Sequence, residues 1–67
     1  MKQDKFIVYF KNGNEETIYA FSYYNAIILA TAKAIENGND SRINYLENKT
    51  NGKVYGNIEL KLTIEEK

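Results

Sequence analysis

The chain has 67 residues, room for one small domain and no second. Nine basic side chains balance nine acidic ones, and Cys, His, Pro and Trp are absent. Those absences exclude a disulfide framework, a thiolate zinc site, histidine-centred catalysis and a histidine pH switch, and the balanced charge weighs against a polyanion binder.

Three Asn-Gly pairs punctuate the chain, at Asn12-Gly13, Asn37-Gly38 and Asn51-Gly52. Both residues tolerate positive φ, so each pair marks a turn or a helix end. Residues 5–11 alternate around Phe6, Val8 and Phe10, with Ile7 and Tyr9 opposite, and predict a first strand. Residues 16–21 predict a second. A two-residue turn at Asn12-Gly13 pairs Phe10 with Glu15, Val8 with Thr17 and Phe6 with Tyr19. Phe6, Val8, Phe10, Tyr19 and Phe21 then share one face, and Ile7, Tyr9 and Ile18 the other. A three-residue turn changes these partners and turns the second strand over.

Ser22 is a helix N-cap, placed to accept an orphan backbone N–H. The third helical position is Asn25 rather than Glu or Gln, so no capping box is expected. Residues 23–37 contain no helix breaker and predict a helix. Tyr23, Ile27, Ala30 and Ala34 fall on one stripe, flanked by Tyr24, Ile28 and Ile35. The small Ala30 and Ala34 let the helix backbone come close to a sheet and leave space for Phe6 and Phe10. Leu29 falls instead among Asn25, Lys33 and Glu36, on the polar side. Gly38 supplies the left-handed residue that ends the helix.

Residues 42–47 predict a third strand and 53–65 a fourth, joined by the turn Asn48-Lys49-Thr50-Asn51-Gly52. In the last segment Ile58, Leu60, Leu62 and Ile64 alternate with Glu59, Lys61, Thr63 and Glu65, and Gly56-Asn57 marks a bulge or bend. The expected fold is therefore α+β: a single β-β-α-β-β domain, a four-stranded antiparallel sheet with one helix packed on one face. The first and last strands are expected at its centre.

Little chemistry is available to such a chain. Without His or Cys a general base must be an Asp, a Glu or a perturbed Lys, and no two acids fall in a context that predicts a shared dry pocket. The glycines Gly13, Gly38, Gly52 and Gly56 form no phosphate-binding loop. The run Asn37-Gly38-Asn39-Asp40-Ser41 lacks the alternating acids of a calcium loop. No enzyme activity, cofactor or metal is expected. There is no apolar run of the ~18 residues a membrane span needs and no secretory signal is read at the N-terminus, so a cytoplasmic protein is expected.

The remaining signal is aromatic. Six Tyr and three Phe are many for 67 residues, and Tyr combines a large rigid area with a polar tip, as protein interfaces and base-stacking sheets require. Ile7, Tyr9 and Ile18, with Tyr55 joining them, predict a protein-binding patch on the sheet face away from the helix. Leu29 is an outlying candidate on the helix. A single-stranded nucleic-acid binder using Tyr9, Tyr55, Lys5, Lys11 and Lys53 is the competing reading, disfavoured because Glu16 and Glu59 fall on the same face. A structural subunit that mainly self-associates is a third, and a homodimer is compatible with so small a core. Nine Asn, eight Lys, eight Ile and six Tyr beside one Arg reflect A/T-rich codons. With the small size, this points to a phage or mobile-element protein that blocks or modulates a host or defence protein.

Overall fold

The computed structural model describes residues 2–56. Along them run β1 (Asp4–Phe10), β2 (Glu15–Ala20), α1 (Tyr23–Glu36), β3 (Ile43–Asn48) and β4 (Val54–Gly56). The strands form one antiparallel sheet in the order β2-β1-β3-β4. The β-β-α-β-β form read from the sequence is the observed one. The last strand is not central, however: β3 takes the place beside β1, and β4 lies at the edge. The run of directions explains why. Strand β4 points the same way as β1, so seating it beside β1 would require a parallel pair, whereas β3 pairs antiparallel throughout. The apolar alternation from Ile58 to Ile64 and the bend at Asn57 lie outside the described residues.

One residue in the first turn decides which side chains enter the core. Gly13, at φ +94°, closes a three-residue loop in which its amide donates to the Phe10 carbonyl at 3.0 Å. The Phe10 amide in turn donates to the Asn14 carbonyl at 2.8 Å. Phe6 therefore pairs with Ile18 rather than Tyr19, and Val8 with Glu16 rather than Thr17. The second strand is turned over relative to the two-residue register. Ile18 and Ala20 join Phe6, Val8 and Phe10 beneath the helix, while Tyr19 and Phe21 are each 56% exposed. A second irregularity acts on β3. Tyr9 pairs with Tyr45 but Phe10 with Ile43, so Asn44 is an extra residue between them. That bulge puts Ile43 in the core and leaves Tyr45 facing out, although regular alternation would place them on one face.

Helix α1 begins and ends as its residues dictate. The Ser22 hydroxyl accepts the Asn25 amide at 3.1 Å, a cap worth about 1 kcal/mol. Asn25 reaches back to the Phe21 amide at 3.4 Å instead of closing a capping box. At the other end the Gly38 amide donates to Ile35 and the Asn39 amide to Ala34, with Gly38 at φ +73°. Ala26, Ile27, Ala30 and Ala34 are buried against the sheet, and three alanines on one face bring the helix close to it. The helix lies over β2 and β1, and on that side Lys33 Nζ lies 2.8 Å from Glu16 Oε2. It therefore does not bury its far flank. Tyr23, Tyr24, Ile28 and Ile35, expected on or beside the buried stripe, are exposed.

Beyond α1 the Arg42 guanidinium grips Asp40 through Nε and Nη2 at 3.0 and 2.7 Å. These bonds and that from the Arg42 amide hold the Asp40 carboxyl down at about 2. The β3–β4 turn is organised by a buried polar residue, Asn48, which is 3% exposed. Its Oδ1 accepts the Thr50 and Asn51 amides at 2.8 and 3.1 Å, and its Nδ2 donates to Asp4 Oδ2 at 3.0 Å. The turn is thereby tied to the start of β1.

Candidate protein-binding face

Among the described residues the helix covers one side of the sheet and none covers the other. Strand alternation and register place three rows of side chains there, each running across the strands. Thr17, Ile7, Glu47 and Val54 form the middle row. Glu15, Tyr9 and Tyr45 form the row above it, completed by Gly56 on β4. Tyr19 and Lys5 lie below, with Lys49 next to Lys5, whose carbonyl accepts the Lys49 amide at 2.7 Å.

Two of these side chains form a ring platform. Tyr9 and Tyr45 stack with centroids 4.5 Å apart and planes 22° from parallel, a contact worth about 0.5–1.5 kcal/mol beyond its buried area. Gly56 has no side chain to cover the outer flank of Tyr45. Tyr45 is 36% exposed, Val54 61% and Tyr19 56%, so the aromatic-aliphatic surface runs almost edge to edge. Its charges are mixed. Lys49 Nζ sits 3.5 Å from Glu47 Oε2, and Glu15 lies opposite Tyr9. Partial desolvation, then the Tyr45 phenol and the Glu15 and Glu47 carboxylates, hold the Tyr9 phenol above its usual value, against the pull of Lys49.

Of the expected patch, Ile7 and Tyr9 are brought together on this face, both half-buried by their neighbours. Ile18 is not. It is 7% exposed and belongs to the core, because the three-residue turn carries it to the helix side. Tyr55 is also on the helix side, opposite Leu46, where it packs on the core and stacks on Tyr23 at 4.5 Å and 9°. Leu29 is exposed on the helix, across the domain from Ile7 and Tyr9. Sequence reasoning missed Tyr19, Tyr45 and Val54. Only Tyr19 carried a usable signal, as one outcome of the turn ambiguity.

A second apolar surface lies on the far flank of α1, where Tyr24, Ile28, Thr31 and Ile35 recur at helical spacing with no charge among them. It offers apolar area but, among these four residues, no charged group to orient an occupant. Near the helix C-terminus a pocket of about 110 Å³, lined by Phe10, Ala30, Ala34 and Asn37 among others, is well below the ~300 Å³ usual for small-molecule sites. No described helix is long and apolar enough to cross a membrane. Comparison of the chain with protein families, with curated proteins and with solved structures gives no match.

Proposed function

We propose that this chain is a small, non-catalytic, cytoplasmic protein-binding module whose contact surface is the open face of its sheet. On this reading it acts by occupying a protein surface, as an inhibitor or accessory factor of a mobile element does. The observation that carries the reading is the Tyr9–Tyr45 stack, exposed at Tyr45, which continues into Ile7, Val54 and Tyr19 on the same face. Rigid aromatic area at low side-chain entropy is what interface centres are built from. The charges favour protein over nucleic acid as the occupant. Lys5 and Lys49 are matched on this face by Glu15 and Glu47, whereas a phosphate track needs an uncompensated basic run. Tyr55, which the nucleic-acid reading requires, packs on the helix side.

The test is affinity capture on the immobilised chain from a lysate of the source cells, with retained proteins identified by mass spectrometry. The double variant Tyr9→Ser/Tyr45→Ser is expected to retain them at least about tenfold less, since two central aromatic anchors are removed at ~2 kcal/mol or more each. Circular dichroism of the variant verifies that it is folded. Equal retention by the folded variant contradicts the proposal, as does salt-sensitive retention of oligonucleotides in place of protein.

A further inference from the structure

We infer that the open face is self-complementary and that its occupant is a second copy of this chain, docked about a two-fold axis running across the strands. The inference rests on the reading of this face as a protein-docking surface and names the partner.

The charge layout selects the partner and the axis. Lys5 and Lys49 lie side by side at one end of the face. Glu15 lies at the other end, one strand over from Tyr9, roughly 14 Å along the strand direction at ~3.4 Å per residue. A two-fold axis along the strands would set Lys5 over the second copy's Lys49, and Ile7 over its Glu47. Like charge then meets like, and a carboxylate loses water against an aliphatic chain. An axis across the strands inverts the rows instead. Ile7 meets its own counterpart at the centre, and Lys5 comes over the second copy's Tyr9, beside its Glu15. Lys49 comes over the second copy's Tyr45. Lys5 thus gains a carboxylate, twice over by symmetry, and neither lysine meets a like charge. Glu47 meets its counterpart, but Lys49 already offsets that charge within each copy.

Area sets the strength. Four strands ~4.8 Å apart, over a length of about five residues, give a face of roughly 330 Å² per copy, or about 650 Å² buried in all. Stable complexes bury about 1,200–2,000 Å². The dimer is therefore reversible, with a dissociation constant in the micromolar-to-millimolar range, and it yields the face to a larger partner.

Sedimentation equilibrium of the full chain from ~10 µM to ~1 mM tests this range directly. The wild type is expected to show a monomer–dimer equilibrium. Lys5→Glu and Glu15→Lys, each of which sets like charges together in two symmetric contacts, are expected to weaken it about tenfold. The combined variant Lys5→Glu/Glu15→Lys is expected to return to within about threefold of wild type. A wild type monomeric throughout overturns the inference, while the capture experiment continues to test the docking face itself. A dimer indifferent to both charge reversals but abolished by Ile28→Glu/Ile35→Glu also overturns it, placing the contact on the helix flank.

Discussion

Phe6→Ala is expected to leave the domain unfolded at 25 °C. Phe6 is 1% exposed at the middle of β1, between Ile18 on one neighbouring strand and Asn48 on the other. Three of the four buried helix residues are alanines, too short to fill the cavity its ring would leave. A buried Phe→Ala substitution costs about 3–5 kcal/mol. A domain of this size, with no disulfide, holds about 3–5 kcal/mol in total. The whole net stability is at stake. Phe21→Ala is the matched control: the same deletion at a residue 56% exposed is expected to cost under about 1 kcal/mol. Urea denaturation followed by circular dichroism distinguishes the two. A cooperative Phe6→Ala transition with a midpoint near that of wild type contradicts the account of the core.

The second large effect is expected at a polar residue. Asn48→Ala removes the acceptor of the Thr50 and Asn51 amides and the donor to Asp4 in one step. At about 1 kcal/mol per net hydrogen bond the loss is about 2–3 kcal/mol, a large share of the total. Asn48→Asp separates the two halves of that role. It keeps the acceptor, but above the ordinary carboxylate range it sets a second negative charge beside Asp4. One carboxyl of such a like-charged pair has its pKa raised in the folded state. Its contribution is then present below that raised value and lost as pH rises through it. Asn48→Asp is thus expected to be strongly destabilised at pH 7 and to recover relative to wild type as pH falls towards 4, when a carboxyl proton replaces the amide donor. Thermal melts at several pH values read this out. A deficit independent of pH contradicts the proximity of Asp4.

What the sequence made legible was local. Ser22 and Gly38 are capping residues whose preference comes from backbone geometry alone, and they bound the helix as expected. The strands lie within a residue of their expected limits, apart from the fourth, of which residues 57–65 fall outside the described chain. The face of β2 was not legible, because Thr17-Ile18-Tyr19-Ala20-Phe21 carries apolar residues on both parities. Asn12-Gly13 fits either loop length, and a single residue of loop exchanges Ile18 for Tyr19. The alternative that won buries an isoleucine and an alanine, which pack without a polar atom, and leaves the phenol of Tyr19 in water. Tyr55 was hidden for a similar reason, since its side depends on where the five-residue turn after Asn48 returns the chain to pairing. The bulge at Asn44 left no trace in the hydrophobic pattern. The exposure of Ile28 and Ile35 depends on the lateral seat of the helix over β2 and β1, which the helical wheel does not contain.

The docking face is defined by which side of the sheet each residue occupies, and the isoleucines report on that directly. With selectively labelled isoleucine methyls and a soluble paramagnetic agent, broadening should be strong at Ile28 and Ile35 and intermediate at Ile7. It should be nearly absent at Ile18, Ile27 and Ile43, whose residues are 7%, 2% and 6% exposed. Broadening of Ile18 as strong as that of Ile35 would return it to the outer face, with β2 turned over and the Tyr9–Tyr45 surface recomposed, contrary to the account.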